Sequence, residues 1–241
     1  TWEGLIKSVR AKVKGTKVKI RLGASSGEWK AMVADEAART TFAKNIKTVL
    51  EKNKLDGIDL DFEWAENEKE YKDYSLAILK MREVLGNKYL FSVSLHPVCY
   101  KISKEAIEAV DFISLQCYGP SPVRFPIEKY CSDIQMVLEY GIPKEKLVAG
   151  VPFYGVTKDN SKKTEAYFNF VQNGLVTSPA QNEVIYQGDT YVFDGQDNIR
   201  IKTRYAKEQK LKGMMSWDLA TDLPLSDSRS LLKTMTEELR E

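Results

Sequence analysis

The sequence predicts an α/β protein with a mainly parallel sheet, and two observations support that prediction. Short runs rich in Val, Ile and Phe alternate with longer stretches whose apolar residues recur at helical spacing. The chain has 241 residues, 43% of them hydrophobic, which is enough for one large core and lies in the size range of single α/β domains. We therefore expect one domain over residues 1–241.

Six runs are predicted to be strands, and they are 17–24, 57–64, 90–96, 112–118, 147–154 and 214–219. Amphipathic helices are expected between them, for example after Asp35 and in a stretch that Gly86 closes as a C-cap. A polar, turn-rich stretch follows Tyr154 and contains two strand-like runs, at 183–187 and 190–193. We expect a small β insertion over 156–200.

The chain opens with a predicted helix, since Trp2, Leu5, Ile6, Val9 and Val13 recur at helical spacing. A barrel of eight βα units opens with a strand, and six strands do not close it. We therefore expect a (β/α)8 TIM-barrel type fold whose first two βα units are absent from this chain.

Charge and composition exclude some partners. The chain has 36 Lys and Arg against 34 Asp and Glu, and these charges are scattered, so nucleic acid is not an expected partner. Its apolar runs are far shorter than the roughly 20 residues that span a bilayer. The odd number of cysteines, Cys99, Cys117 and Cys131, predicts small buried residues rather than a disulfide framework. A structural or rim role is expected for His96, and the chain is expected to be a monomer.

The most informative segment is 56–64, in which acidic and apolar residues alternate strictly. The acids are Asp59, Asp61 and Glu63, and a period of two places them on one face of a strand. Both faces of a parallel sheet are covered, so this face should point into a barrel and toward the carboxyl ends of the strands, where barrel enzymes have their active sites. Glu63 is then the outermost acid.

Acids two residues apart in a strand lie roughly 7 Å apart, where their repulsion is about 2 kcal/mol at an effective dielectric near 20. We expect the inner carboxyls to share a proton while Glu63 keeps its own, as a general acid requires. One alternative is an exposed acidic edge strand, which the helical crossovers on both sides disfavour. Another is a divalent metal site, for which no further acidic or His cluster stands at the neighbouring strand ends.

The pattern DGxDxDxE resembles the signature of glycoside hydrolase family 18, and Asp56, Gly57, Asp59, Asp61 and Glu63 fill its fixed positions. Three later segments resemble the family's sixth, seventh and eighth strands, and they are 111–118, 150–155 and 213–217.

The resemblance implies a chitinase-like retaining glycosidase that uses the substrate's own 2-acetamido oxygen as nucleophile, without metal or organic cofactor. Glu63 would be the acid and base, Asp61 would orient the acetamido group, Asp59 would tune Asp61, and the Tyr118 hydroxyl would hold the acetamido carbonyl. The implied partner is chitin or another glycan that contains N-acetylglucosamine. The implied location is secreted, periplasmic or at the cell surface, with an export signal outside this chain.

The family pattern also implies sugar-binding residues. Trp217 would be the floor on which a sugar ring stacks, although a core aromatic is the alternative, and Gln116 can bond a sugar hydroxyl. Trp64 and Tyr154 are expected to line the cleft, although aromatics at strand ends also pack the top of a barrel.

Two segments depart from the family pattern. The third-strand motif, usually SxGG, is Arg-Leu-Gly-Ala at 21–24, and a sugar-contacting acid after Tyr118 is replaced by Gly119. These departures keep open the alternative of a non-catalytic carbohydrate-binding relative. An endo-β-N-acetylglucosaminidase acting on N-glycan cores also stays open, because the same signature serves both activities.

Overall fold

The structure is a computed structural model that describes residues 1–25 and 27–241. It divides into two compact units, unit 1 with Thr1–Ile113 and unit 2 with Ser114–Glu241. Strands and helices alternate along the chain in both units, so the predicted α/β class is confirmed. The organisation as one domain over 1–241 stays a prediction.

Within the described residues of unit 1, the helices are α1 (Trp2–Lys12), α2 (Trp29–Ala34), α3 (Glu36–Asn53), α4 (Glu68–Leu85) and α5 (Lys104–Ala109). Its strands are β1 (Arg21–Ala24), β2 (Gly57–Leu60), β3 (Leu90–Leu95) and the first half of β4 (Phe112–Leu115). They stand in this order in the sheet, and β2 pairs in parallel with both β1 and β3.

The first helix confirms the prediction that the chain opens with a helix. The Thr1 hydroxyl accepts a hydrogen bond from the Gly4 N–H over 3.3 Å and caps α1. Near the other end of α1, Arg10 donates to the carbonyl oxygens of Asn53 and Lys54 over 3.0 and 2.9 Å. These bonds tie α1 to the carboxyl end of α3.

Side-chain caps determine where the longer helices of unit 1 begin. The Asp35 carboxylate accepts from the Ala38 N–H over 2.7 Å at the start of α3, and the Asn67 side chain accepts from the Glu70 N–H over 3.0 Å at the start of α4. Each bond satisfies an N–H group that has no partner within its helix. As predicted, α4 ends at Gly86, whose φ of 59° costs glycine no steric strain.

The close approach of β2 and β3 requires glycine at position 57. A Cβ on Gly57 would lie 2.0 Å from the carbonyl oxygen of Leu90, its partner in the parallel register. The preceding residue, Asp56, accepts a hydrogen bond from the Ile20 N–H over 2.8 Å, which fixes the start of β1 against β2. The first two positions of the acidic motif therefore have structural roles.

Within the described part of unit 2, the helices are α6 (Ile127–Tyr140), α7 (Tyr167–Gln172), α8 (Gln196–Glu208) and α9 (Leu231–Arg240). After the second half of β4, its strands are β5 (Leu147–Pro152), β6 (Tyr154–Thr157), β7 (Thr164–Ala166), β8 (Glu183–Tyr186), β9 (Asp189–Val192) and β10 (Gly213–Trp217). In the first sheet of this unit β5 lies between β4 and β10, and it pairs with β10 in parallel.

A second sheet, antiparallel and in the order β7-β6-β9-β8, lies in the region of the predicted β insertion. Its β8–β9 turn consists of Gln187 and Gly188, whose φ angles of 52° and 87° suit the left-handed positions of a type I′ turn. The predicted single strand 147–154 is wrong at its end, because β5 stops at Pro152 and Tyr154 begins β6 in the second sheet. An insertion with the bounds 156–200 stays a prediction.

Unit 2 contains a fully buried ion pair. Lys202 Nζ lies 2.6 Å from Asp194 Oδ2, with neither side chain exposed, and it also donates to the Phe125 carbonyl oxygen over 2.9 Å. Buried charges are tolerated when they are paired and hydrogen-bonded. The pair therefore holds the chain at Phe125 against α8.

The six predicted strands are confirmed in position, and each is shorter than predicted. Residues with high strand propensity extend beyond the residues that pair with a neighbouring strand. Propensity reflects side-chain packing more than backbone pairing, so it does not determine where the pairing stops. A (β/α)8 barrel that lacks its first two units stays a prediction.

Candidate functional site

The apolar side of the acidic segment is buried, as the alternation predicts. Ile58 and Leu60 are completely buried, and Phe62 is 2% exposed. The Phe62 ring lies 5.4 Å from the rings of both Trp29 and Tyr74, and it is nearly parallel to Trp29. This aromatic packing anchors one face of the segment in the core of unit 1.

Asp59 is enclosed, with 18% of its side chain exposed. Its two carboxylate oxygens accept hydrogen bonds from the hydroxyls of Ser92 and Ser94, the second over 2.7 Å, and Arg21 Nη1 lies 4.0 Å from Asp59 Oδ1. Burial raises the pKa of Asp59, while the two hydroxyls and the Arg21 charge lower it. Burial, rather than the repulsion between acids that the sequence suggested, is the largest cause of the raised pKa.

The predicted strand 57–64 ends early. β2 stops at Leu60, and residues 61–64 have no regular secondary structure. Asp61 is half-buried and Glu63 is exposed, so the three acids run from the enclosed Asp59 to Glu63 at the surface. A side chain that a ligand can reach therefore stands at the end of the segment.

Contacts with distant residues hold the segment around Glu63. The Trp29 indole N–H donates to the Glu63 carbonyl oxygen over 3.0 Å. Two residues later, the Ala65 N–H donates to the Cys99 sulfur over 3.1 Å. The Glu63–Trp64 peptide bond is cis. The two hydrogen bonds hold the backbone at Glu63 and Ala65, although the Glu63 carboxylate itself is exposed.

Trp64 packs against the only histidine of the chain. The Trp64 and His96 rings lie 4.7 Å apart with an interplanar angle of 30°. His96 is 5% exposed and Trp64 is 36% exposed. This packing fits the structural role expected for His96 and leaves part of the Trp64 ring at the surface.

In unit 2, Tyr118 and Tyr154 are in contact, with ring centroids 6.3 Å apart in an edge-to-face arrangement. The Tyr154 hydroxyl donates to the Gly119 carbonyl oxygen over 3.2 Å, and the Tyr118 hydroxyl donates to the Met215 sulfur over 3.5 Å. A thioether sulfur is a weak acceptor. The contact with Met215 is therefore a weak hydrogen bond.

The other two sugar-binding candidates of unit 2 differ in exposure. Gln116 is 6% exposed, whereas Trp217 is 53% exposed at the end of β10. The Trp217 backbone is held in the sheet, since its carbonyl oxygen accepts from the Phe153 N–H over 2.8 Å. A half-exposed indole on a fixed strand end does not fit the alternative of a core aromatic.

Each unit contains part of the predicted set. The predicted site residues of unit 1 are Asp59, Asp61, Glu63 and Trp64. Those of unit 2 are Gln116, Tyr118, Tyr154 and Trp217. In unit 2, Tyr118 is in direct contact with Tyr154. In unit 1, the three acids lie at alternate positions of one segment.

Sequence reasoning missed three residues that contact Asp59 or lie close to it, namely Arg21, Ser92 and Ser94. The two serines alternate along β3, and Ser92 is opposite Asp59 in the register, so a known strand order would have predicted them. The sequence identified Arg21 only as a departure from the third-strand motif and gave no indication that it lies near Asp59.

In the residues that the structure describes, no three His, Cys, Asp or Glu side chains are grouped so that they could hold a metal ion. All three cysteines are free thiols, Cys99 and Cys117 buried as predicted and Cys131 partly exposed. Burial raises the pKa of the Cys117 thiol. Among the described helices, none combines the length and hydropathy that crossing a bilayer demands.

Comparison with known proteins gives one family and several relatives. The family model described as "Glycosyl hydrolases family 18" matches residues 4–222. Probable chitinase 2 of Drosophila melanogaster is 23% identical over 273 aligned residues, which cover 86% of this chain and 56% of that protein. The chain spans about half the length of the curated relatives it matches.

Solved structures show the same fold. A chitinase from Bacteroides thetaiotaomicron superposes with a TM-score of 0.84 at 22% identity, covering 97% of this chain and 80% of that one. The chitinase ChiB of Flavobacterium johnsoniae gives a TM-score of 0.79 at 26% identity, covering 99% and 79%. Because the family model matches most of the chain and the signature residues stand in order from Asp56 to Glu63, this chain belongs to glycoside hydrolase family 18.

Proposed function

We propose that this chain carries the catalytic face of a retaining glycoside hydrolase that cleaves β-1,4 bonds next to N-acetylglucosamine in chitin or chito-oligosaccharides. One observation carries the proposal: in a chain of this family, the enclosed Asp59 and the exposed Glu63 lie on one segment whose backbone is fixed at Glu63. Asp61 stands between them.

The proposed reaction has two steps. Glu63 gives its proton to the glycosidic oxygen as the bond from that oxygen to the anomeric carbon breaks, and the acetamido oxygen of the same sugar bonds to the anomeric carbon. Water then attacks the anomeric carbon and loses a proton to Glu63, and the acetamido oxygen is released. Carboxylates on one segment lie on the same side of a sugar and cannot readily flank it as acid and nucleophile, so an internal nucleophile solves that problem.

The remaining polar residues act on the acetamido group. The Asp61 carboxylate accepts from the acetamido N–H and stabilises the positive charge that develops in the ring formed by the attack. Asp59 tunes Asp61, and the Tyr118 hydroxyl donates to the acetamido carbonyl oxygen. In the structure the Tyr118 hydroxyl donates to the Met215 sulfur, which is a weaker acceptor than a carbonyl oxygen. This difference favours a hydrogen bond from Tyr118 to the acetamido group.

Sugar rings are proposed to be bound by Trp217, Gln116, Tyr154 and Trp64. The exposed indole of Trp217 offers an apolar face on which a pyranose ring can stack. Gln116 would bond a sugar hydroxyl, and Trp64 and Tyr154 would line the cleft. No cofactor is part of this proposal. Because chitin is found outside cells, we propose that the protein acts outside the cell or at its surface. We also propose that it is a monomer and that its fold is an eight-stranded barrel.

The experiment compares the intact natural protein with Glu63→Gln on two substrates, chitotetraose in its fully N-acetylated form and a high-mannose glycopeptide. Removing a general acid lowers kcat about 10²- to 10⁴-fold. Glu66→Gln is the matched control, because Glu66 is three residues away and its exposed carboxylate pairs with Lys30 over 3.0 Å. We expect the control to keep the wild-type kcat.

Each outcome decides between the proposals. Cleavage of chitotetraose that Glu63→Gln abolishes supports the chitinase. Cleavage of the glycopeptide alone favours the endo-β-N-acetylglucosaminidase alternative. Binding of either glycan without cleavage by the wild type favours the non-catalytic relative. The departures from the family pattern at Ala24 and Gly119 are the reason for considering that alternative. Equal activity in Glu63→Gln and wild type ends the role given to Glu63.

A further inference from the structure

Arg21 stands where the family pattern has serine, and it reaches Asp59 through a second residue. Arg21 Nη1 donates a hydrogen bond to the Ser92 hydroxyl oxygen, and that hydroxyl is bonded in turn to Asp59 Oδ1. A guanidinium has donors and no acceptor. Because Ser92 Oγ accepts from Arg21, its single proton points to Asp59.

The second carboxylate oxygen of Asp59 is also occupied, since Ser94 donates to Oδ2 over 2.7 Å. Asp59 therefore accepts at both oxygens, and each of these bonds is stronger when the carboxylate is ionised. The positive charge of Arg21, 4.0 Å from Oδ1, acts in the same direction.

The Arg21 guanidinium is itself enclosed. Its side chain is 25% exposed, and it lies over the Phe112 ring at 4.6 Å. Burial lowers the pKa of Arg21, while the charges of Asp59 and Asp111 raise it. Arg21 from β1 and Tyr74 from α4 face Asp59, and Asp61 lies two residues along the segment. Asp111, before β4, faces Arg21.

We propose that Arg21 is a positioning residue, which holds Asp59 against β3 as an anion. The inference rests on the proposed function, in which Asp59 acts on Asp61. An ionised Asp59 is an acceptor only, so it does not compete with the acetamido N–H for the Asp61 carboxylate. Arg21 thus acts on the reaction through Asp59.

The test follows the Asp59 carboxyl directly, by a pH titration of its ¹³C chemical shift in the intact protein. Arg21→Met keeps an apolar stem and removes the charge, so the pKa of Asp59 should rise by at least about one unit, the lower end of what a neighbouring Arg contributes. Lys19→Met is the matched control, since Lys19 lies two residues before Arg21 and pairs with Asp56 at 3.5 Å. The control should leave the Asp59 titration unchanged.

A folded Arg21→Met protein with an unchanged Asp59 titration overturns the proposal. If Arg21→Met does not fold, Arg21→Gln decides in the same way, because it removes the charge and keeps an amide donor for the Ser92 hydroxyl. A raised pKa of Asp59 in Arg21→Gln supports the proposal, and an unchanged one overturns it.

Kinetics give a second measurement. In Arg21→Met the acid limb of the pH profile of kcat should move upward by the same shift as Asp59, with KM within about twofold of wild type. An acid limb that stays in place in the active variant overturns the proposal. If the wild-type protein cleaves no glycan, the proposed function fails, and the titration, which needs no substrate, still decides whether Arg21 keeps Asp59 ionised.

Discussion

The indole N–H of Trp29 donates a hydrogen bond to the carbonyl oxygen of Glu63 over 3.0 Å. The same indole stacks on Phe62 at 5.4 Å. A single residue of α2 therefore holds both the buried side chain of the acidic segment and the backbone from which its outermost acid projects.

Trp29→Phe tests this relationship, because it keeps an aromatic ring and removes the hydrogen bond. We expect the free energy of unfolding to fall by about 1–2 kcal/mol and kcat to fall about tenfold, since Glu63 loses its positioning. Chemical denaturation and steady-state kinetics measure the two effects. Trp2→Phe, at an exposed indole in α1, is the control. A normal kcat in a destabilised Trp29→Phe would contradict the positioning role.

Tyr118→Phe should lower kcat about 100-fold, as the loss of one donor to a developing charge does. Its free energy of unfolding should change by less than about 1 kcal/mol, because the hydroxyl donates to a weak sulfur acceptor in the structure. Tyr130→Phe is a close control, since the Tyr130 hydroxyl also contacts a methionine sulfur, that of Met214, over 3.6 Å. Equal kcat losses in the two variants would refute a specific role for Tyr118.

The alternation of acidic and apolar residues was enough to predict which side chains of the segment are buried, because a period of two is a local property of the chain. It did not predict where β2 ends. Residues 61–64 leave the strand, and the groups that hold them, Trp29 and Cys99, each lie 34 residues from the atoms they bind. A local pattern contains no information about such contacts.

The same limit applies to the surroundings of Asp59. Arg21 lies 71 residues from Ser92 in sequence, and the two come together only because β1, β2 and β3 are neighbours in this order. In the sequence, Arg21 is only a departure from the serine of the family motif. In the structure, its guanidinium is a positive charge that lowers the pKa of Asp59. The contact of Tyr118 with Tyr154 depends on the packing of unit 2 in the same way.

Gly57→Ala should be strongly destabilising. The new Cβ would lie 2.0 Å from the Leu90 carbonyl oxygen, so the strands must separate, and we expect the free energy of unfolding to fall by about 3 kcal/mol. Gly23→Ala is the control in the neighbouring strand, where a Cβ meets nothing within 4 Å. Urea denaturation of both variants measures the difference, and equal stabilities would contradict the tight packing of β2 against β3.

Asp227 should give a pH-dependent contribution to stability. Hydrogen bonds from Arg229 lower the pKa of Asp227 from 3.8 to about 2. A pKa that folding lowers contributes stability above its unfolded value, and this contribution is lost as the pH falls from about 3.8 through about 2. Asp227→Asn should thus lower the free energy of unfolding by about 0.5 kcal/mol at pH 6, as for an exposed ion pair, and by only a small part of that at pH 2. An undiminished difference at pH 2 would assign the effect to another cause.

The most direct test of the account is the anomeric configuration of the first product from chitotetraose, followed by ¹H NMR in the first minutes of hydrolysis by the intact protein. Attack by the substrate's own acetamido oxygen, with Glu63 as acid and then base, inverts the anomeric carbon twice. The account predicts that the β anomer appears first and then mutarotates. Initial release of the α anomer would contradict it.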